Sequence, residues 1–168
     1  MLAVMAAAIS VSGCASSAPD NSASQTRDAY TDAYAQGMDQ HVQAQSDFDN
    51  GTAAWESDDL REAIADYANA SMESDAAASC YGIMRGYAGD QQETDFSDSL
   101  RGCAYNLSLA SDDFMNSAIA LQANDSDQAN SSFDDGQARL DDSDALLNRS
   151  IDLTPEWLAD LAASDSSD

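Results

Sequence analysis

Residues 51–70 have the sequence GTAAWESDDLREAIADYANA, which predicts the end of one helix, a tight turn and the start of a second helix. Asp59 is followed three positions later by Glu62, which is the spacing of a capping box. In such a box the side chain that precedes a helix accepts a backbone hydrogen bond from its first turn. Further along, Ile64 and Tyr67 continue an apolar pattern at helical spacing. The stretch therefore predicts a helical hairpin.

The apolar pattern of this hairpin extends in both directions, with apolar side chains at steps of three, four or seven positions. Stripes of this kind are the buried faces of amphipathic helices. A second capping box, formed by Asp125 and Gln128, marks another helix start. We therefore expect four long helices, whose stripes run from Tyr30 to Trp55, from Leu60 to Met84, from Phe96 to Leu121 and from Ala129 to Leu147.

The connections between these helices are short, and short connections favour antiparallel neighbours. The segment 89–94 is the strongest turn candidate between the second and third helices, and Asp95 and Asp98 place negative charge at the start of the third. After the fourth helix, Thr154 fits an N-cap and Pro155 fits the first position of a short fifth helix. The sequence predicts an all-α fold: an antiparallel four-helix bundle of two helical hairpins plus a short C-terminal helix.

The opening stretch also resembles part of a tetratricopeptide repeat, because Gly51, Ala63, Tyr67 and Ala70 fall at spacings typical of that family. A weaker echo of the pattern follows near twice the usual period of that repeat, with Ala129, Phe133 and Gly136. We interpret the echo as two related helical hairpins in one bundle. The alternative, a repeat superhelix, implies a protein that binds peptides in a groove.

The charge of the chain is strongly one-sided, with 31 acidic residues against 6 arginines, no lysine and a net charge of -25. Molar salt shortens the Debye length to about 3 Å and screens the self-repulsion of such a surface. In this composition the chain resembles proteins of halophilic archaea. Binding of nucleic acid is not expected, since the chain lacks the basic groups that neutralise phosphates.

The N-terminus is an uncharged apolar run that ends at Val11-Ser12-Gly13-Cys14. This pattern resembles the lipobox of exported lipoproteins, and with the acidic composition it resembles the surface lipoproteins of halophilic archaea. The resemblance implies cleavage before Cys14 and a lipid on its thiol, which would hold the chain on the outer side of the cell membrane.

The predicted organisation has four parts. Residues 1–13 are a lipoprotein signal peptide, residues 14–26 are the lipidated cysteine and a flexible tether, residues 27–163 are the helical bundle, and residues 164–168 are a polar tail.

Two further features are typical of exported proteins. Six sequons of the form Asn-x-Ser/Thr are candidate N-glycosylation sites, with Asn50 and Asn124 expected near helix ends; the six are Asn50, Asn69, Asn106, Asn124, Asn130 and Asn148. Cys80 and Cys103 lie symmetrically about the predicted turn at 89–94, so two antiparallel helices would bring them level. We expect a disulfide between them, the alternatives being two free thiols or a metal pair.

A catalytic constellation is not evident in the sequence. His41 is the only histidine and lies on an apolar helical stripe, so it is expected to be a packed side chain. We expect no enzyme activity, no cofactor and no metal site. The leading interpretation is a lipid-anchored extracellular module that contacts another exported or membrane protein. The alternative is a small-ligand binding module associated with a membrane transporter, in which Tyr30, Tyr34, Tyr67 and Tyr81 line a cavity.

Overall fold

The computed structural model describes residues 21–165, and the side chains of residues 24–160 within them. Five helices account for the regular structure of this part of the chain: α1 (Asn21–Glu56), α2 (Leu60–Gly86), α3 (Gln91–Gln122), α4 (Ser126–Leu153) and α5 (Glu156–Asp165). The four long helices pack in chain order, α1 on α2, α2 on α3 and α3 on α4, each antiparallel to the next. The predicted all-α fold, with four antiparallel helices and a short C-terminal helix, is confirmed.

Both predicted capping boxes begin a helix. The Asp59 carboxylate accepts a hydrogen bond from the Glu62 backbone at 3.1 Å, and the Asp125 carboxylate accepts one from Gln128 at 3.1 Å. Each carboxylate satisfies one of the backbone donors that a helix start leaves without a partner.

The start of α3 differs from the prediction. Asp90 caps this helix by accepting a hydrogen bond from the Glu93 backbone at 2.9 Å, so α3 begins at Gln91, inside the segment predicted as a turn. Asp95 and Asp98 consequently lie beyond the first turn of the helix. The signal that was missed is a third capping-box spacing, Asp90 with Glu93. The neighbouring Gly89 instead favoured the interpretation of this segment as a turn.

The turns that close the two hairpins have the same geometry. Asp58 and Asn124 adopt left-handed backbone conformations, with φ of 68° and 60°. The next residue of each turn, Asp59 or Asp125, donates its N–H to a carbonyl five positions back at 2.9 Å. Asp and Asn tolerate this conformation better than most residues. The repeated turn supports two related hairpins, whereas α1 alone already exceeds the length of a whole tetratricopeptide unit.

Glycines set the close approach and the register of α1 and α2. A Cβ atom on Gly37 would lie 2.5 Å from the Tyr81 ring, and one on Gly51 would lie 2.9 Å from the Tyr67 ring. The spacing between Gly37 and Gly51 along α1 equals the spacing between Tyr67 and Tyr81 along α2. Each ring therefore occupies space that only glycine leaves free, and the two contacts fix an antiparallel register.

The second hairpin has the same kind of contact between a glycine and an aromatic ring. A Cβ atom on Gly136 of α4 would lie 2.9 Å from the Phe114 ring of α3. This glycine therefore lets α4 approach α3 as closely as Gly51 lets α1 approach α2.

The core has two aromatic clusters at opposite ends of the bundle. One is built around Tyr30, Tyr81 and Phe96, and the other around Tyr67 and Phe114. Aromatic side chains contribute the largest buried apolar areas of any residue type, so these clusters dominate the hydrophobic stabilisation.

Buried serines let neighbouring helices approach closely. The Ser71 and Ser108 hydroxyls lie 3.3 Å apart between α2 and α3. Between α3 and α4, Ser117 donates to the Ala129 carbonyl at 2.7 Å. These hydrogen bonds satisfy the hydroxyls, and a buried hydroxyl without a partner would be costly.

Two predicted boundaries are wrong. The helix α1 begins at Asn21, so the second half of the predicted tether (14–26) is helical, because no glycine or proline interrupts the chain after Pro19. The hydroxyl of Thr154 donates to the Ser150 carbonyl at 3.1 Å and therefore caps the end of α4, while the Pro155 carbonyl accepts the first hydrogen bonds of α5. The predicted signal peptide and Cys14 lie outside the described residues.

The predicted disulfide is wrong, because Cys80 and Cys103 are both free thiols in this structure. The Cys103 thiol is directed at α4, where it lies 3.3 Å from the Ser143 hydroxyl. Cys80 instead lines a small depression together with Ala33 and Gln36 of α1. Cys80 and Cys103 are symmetrical about the turn in the sequence, but their side chains leave α2 and α3 toward different neighbours, which prevents a bond.

The surface charge is largely uncompensated. The described residues contain three ion pairs, Arg27–Glu93, Arg85–Asp98 and Arg139–Asp113, for a chain with 31 acidic side chains. Most carboxylates therefore repel one another without an arginine between them.

We expect the free energy of unfolding to fall when salt is diluted, because the Debye length grows from about 3 Å at roughly 1 M to about 30 Å at roughly 0.01 M salt. Thermal melts followed by helical circular dichroism in potassium chloride will measure this change. A variant with Asn at the exposed α4 positions Asp134, Asp135, Asp141 and Asp142 should require less salt. Equal melting temperatures of the wild type in molar and millimolar salt would contradict the halophilic interpretation.

Candidate interaction surface on α2 and α3

Large apolar side chains are exposed on one outer face of α2 and α3. Met72 and Ile83 of α2 are 64% and 57% exposed, and Tyr105 and Ile119 of α3 are 54% and 45% exposed. The members of the first pair are about three helical turns apart and those of the second pair about four, so each pair shares one face of its helix. Exposed apolar surface marks interaction sites where it is contiguous, so this face is the candidate to consider.

A groove of about 900 Å³, open to solvent, runs along the contact between α2 and α3 on this face. Ile83 lines it on the α2 side and Tyr105 on the α3 side. Gly82 lies in the lining with no side chain to fill the space; a Cβ atom built there meets nothing closer than the Arg101 Nε at 3.8 Å. The groove therefore exists because two antiparallel helices pack closely here and each contributes a glycine to the lining, Gly82 on α2 and Gly102 on α3.

The charges of the groove differ from those of the rest of the surface. Arg85 pairs with Asp98 through a 2.7 Å contact, and this pair is about half exposed. Arg101 is exposed in the same lining and makes no ion pair with any side chain that the structure describes. Asp75 is the remaining charged residue of the lining. Two of the chain's six arginines thus lie in or beside this groove, and one guanidinium is available to an external carboxylate.

A second polar cluster, at the end of the bundle where α1 begins, has its hydrogen-bonding groups occupied internally. The buried Glu93 carboxylate accepts hydrogen bonds from the Trp157 Nε1 at 2.8 Å and from the Gly89 backbone at 2.6 Å. The Arg27 guanidinium lies 4.4 Å above the Trp157 ring and 3.9 Å from the Glu93 carboxylate. We call Arg27, Tyr30, Glu93 and Trp157 the end cluster; it fastens α5 to the bundle.

Tyr30 adds a further connection within the end cluster. Its hydroxyl donates to the Glu93 carbonyl at 3.2 Å and lies 3.3 Å from the Ser97 hydroxyl. Burial, with a smaller contribution from the nearby Glu93 charge, raises the pKa of Tyr30 to about 12. The phenol therefore stays protonated and serves as a hydrogen-bond donor, so the geometry favours a structural role for this cluster.

His41 is buried, as its position on the apolar stripe predicted. Its Nδ1 has no hydrogen-bond partner among the described atoms, and the same holds for the Ser74 hydroxyl oxygen on α2. Burial lowers the pKa of His41 below its ordinary value of 6.5, because the charged imidazolium is poorly solvated there. The neutral form is therefore the one that the folded chain accommodates.

This pKa shift predicts a loss of stability in mild acid. Below pH 6.5 the unfolded chain binds a proton at His41 that the folded chain resists, so the free energy of unfolding falls from about pH 6.5 down to the lower folded pKa. Leu107 precedes the turn of the second hairpin by as many positions as His41 precedes the turn of the first. Because the second hairpin carries leucine at this place, His41→Leu is a suitable comparison. Urea melts at several pH values should show the loss in the wild type and its absence in His41→Leu; parallel curves would contradict the assignment.

The tyrosines considered for a ligand cavity are packed against other rings. Tyr30 contacts Trp157 with ring centroids 5.6 Å apart, Tyr34 contacts Phe96 at 5.9 Å, and Tyr67 stacks on Phe114 at 5.5 Å. Tyr81 is fully buried. In this structure these side chains fill the core. Among the described residues, no group of three or more His, Cys, Asp or Glu side chains is arranged to hold a metal ion.

The sequons are distributed over all four long helices and one turn. Asn124 lies in the α3–α4 turn, as expected, whereas Asn50 lies inside α1, before its last turn. The Asn106 side chain is half-buried, and the remaining sequon asparagines are exposed within helices: Asn69, Asn130 and Asn148. Among the six, Asn124 therefore combines exposure with a position outside regular helix.

Apart from Tyr30, which was considered only for a ligand cavity, the residues that define the groove and the end cluster were not identified from the sequence. Arg101, Glu93 and Trp157 lie far apart in the chain or on different faces, and neither spacing nor composition connects them. The sequence contained one weak indication that Tyr105 and Ile83 are exposed, because both lie off the apolar stripes of their helices.

Comparison with known proteins identifies no relative: no family model, curated protein or solved structure matches this chain. None of the described helices combines the length and the apolar character needed to cross a membrane. The functional interpretation therefore depends on the residues of the chain and on the surface described above.

Proposed function

We propose that this chain is a non-enzymatic, lipid-anchored extracellular protein that serves as an interaction or accessory module for another exported or membrane protein. The anchor rests on the lipobox-like pattern Val11–Cys14 after an uncharged apolar run. The observation that carries the interaction role is the exposed apolar face of α2 and α3, with its open groove. On a strongly acidic surface, this face offers another protein apolar side chains to bury beside an open groove.

Several observations support a binding role over a catalytic one. The end cluster uses its carboxylate and its hydroxyl in internal hydrogen bonds, and His41 is buried away from the groove lining. A general base needs a free acceptor within reach of the proton that it abstracts, whereas both Glu93 oxygens already accept internal hydrogen bonds and His41 is buried. The groove itself offers an arginine, two carboxylates and apolar side chains, which suit recognition.

The anchor is tested by comparing the wild type with Cys14→Ser in a halophilic host. We expect the wild type in the membrane fraction, with the mass of a lipid on an N-terminal Cys14 peptide, and most of the Cys14→Ser chain as an unprocessed or soluble form. Cys80→Ser serves as the matched control and should remain with the membrane. A Cys14→Ser chain that stays in the membrane with unchanged processing would overturn the anchor.

The interaction role is tested by photo-cross-linking on intact membranes in native salt. A photoreactive residue at Tyr105 should capture one recurrent exported or membrane protein. The same residue at the exposed α4 position Gln137 is the control and should not capture it. Failure of every surface position to capture a recurrent protein would count against an interaction module.

A further inference from the structure

We infer that the α2–α3 groove binds an amphipathic α-helix of the partner protein, which inserts apolar side chains between Ile83 and Tyr105 and pairs one Asp or Glu with Arg101. This inference rests on the proposed interaction role and specifies the chemistry of the partner. It commits to a helix from another protein as the occupant.

The shape of the groove favours a helix. Its lining extends from Asp75 to Ile83 on α2 and from Asp98 to Tyr105 on α3, so it follows about two turns of each helix along their straight, antiparallel contact. Helices that dock in such grooves present apolar anchors at positions i, i+3 or i+4, and i+7. Ile83 and Tyr105 belong to opposite walls, where anchors of this spacing would fit between them. Gly82 allows the backbone of the occupant to come close.

The charges of the groove select the polar residues of that helix. Asp98 is already neutralised by Arg85, which leaves Arg101 without a carboxylate. A guanidinium pairs with a carboxylate in a two-pronged geometry, and such contacts are stronger than neutral hydrogen bonds. Asp75 lies about two helical turns before Gly82 on α2 and favours a hydrogen-bond donor at that end. The separation of the two charges would set the direction of the bound helix.

Charge also favours a different protein over a second copy of this chain. Two chains with a net charge of -25 repel each other, and a self-complementary contact would repeat that repulsion. A partner helix with one carboxylate on an apolar face gains the Arg101 contact without bringing such a charge. In molar salt the long-range repulsion is screened, but a direct ion pair that the bound helix covers persists to a greater extent.

The test uses a displayed library of amphipathic helices, selected against the full chain in mild detergent and molar potassium chloride. We expect the enriched helices to carry one carboxylate within an apolar face. Arg101→Gln should weaken the selected peptides roughly tenfold, and a Glu→Gln change in the peptide should have the same effect without adding to it. Arg149→Gln on exposed α4 is the matched control and should leave affinity unchanged.

Gly82→Leu provides a second variant that preserves the fold. The position has room for a side chain, and leucine favours helix more than glycine, so the variant should fold while its side chain fills the groove. We expect binding to fall at least tenfold with helical circular dichroism unchanged. Enriched peptides that ignore Arg101→Gln and Gly82→Leu, or a library that yields no binder, would overturn the inference.

The two proposals fail in different ways. If no helix is enriched while the chain on membranes still cross-links to one recurrent protein through another face, the interaction role stands and the groove inference falls. A chain that forms dimers through the groove, disrupted by Gly82→Leu in sedimentation experiments, would replace the helix with a second copy and also overturn the inference.

Discussion

Replacing Tyr81 by alanine should lower the free energy of unfolding by about 3–5 kcal/mol, the range found when a buried aromatic side chain is truncated in a core. Tyr81 is fully buried, its ring lies against Gly37 of α1, and its hydroxyl donates to the Met38 sulfur at 3.3 Å. The closely packed helices around it cannot collapse far enough to fill the space. Urea melts in molar salt, followed by circular dichroism, will measure the change.

Two further variants distinguish the contribution of the Tyr81 ring from that of its hydroxyl and test the contact of the ring with Gly37. Tyr81→Phe keeps the ring and loses only a hydrogen bond to sulfur, so it should cost about 1 kcal/mol or less. Gly37→Ala should destabilise the wild type, because its Cβ would lie 2.5 Å from the ring, but it should be tolerated beside Tyr81→Ala. Additive effects of the last two changes would show that the contact does not hold α1 against α2.

Replacing Glu93 by alanine should lower the free energy of unfolding by about 2–4 kcal/mol, because it removes the shared acceptor of two partly buried hydrogen bonds, from the Trp157 N–H and the Gly89 N–H. The end cluster would lose its carboxylate, and α5 would separate from the bundle more readily. Urea melts will measure the stability, and fluorescence of Trp157 in a Trp55→Phe background will follow α5.

Glu62 offers a matched control for this variant. Both glutamates stand three positions after the aspartate that caps their helix, but the Glu62 side chain is exposed. Glu62→Ala should therefore change stability by about 0.5 kcal/mol or less. Glu93→Gln keeps one acceptor oxygen and should fall between the two. Equal losses for Glu62→Ala and Glu93→Ala would mean that only the charge at the helix start matters.

Helix content, helix order and two of the three capped starts could be predicted, because they depend on residues close together in the chain. Asp59 and Asp125 cap helices through backbone atoms three positions away, and the apolar stripes depend on the local helical repeat. The echo of the tetratricopeptide-like pattern predicted two related hairpins, and the matching turns at Asp58 and Asn124 agree with it. The halophilic composition and the lipobox-like pattern are likewise properties of the chain itself, and the functions that they imply remain predictions.

The direction of individual side chains between helices could not be predicted in this way. Symmetry about the turn predicted that Cys80 and Cys103 would lie level and bond, yet Cys80 lines a depression with α1 residues and Cys103 lies against Ser143 of α4. The groove likewise depends on how helices are rotated relative to each other. Gly82, Arg101 and Tyr105 come together only once α2 and α3 have packed. Periodicity identifies the residues that share a face of one helix. The neighbouring helix that covers this face is determined by close packing among residues far apart in the chain. That packing exists only in the folded bundle.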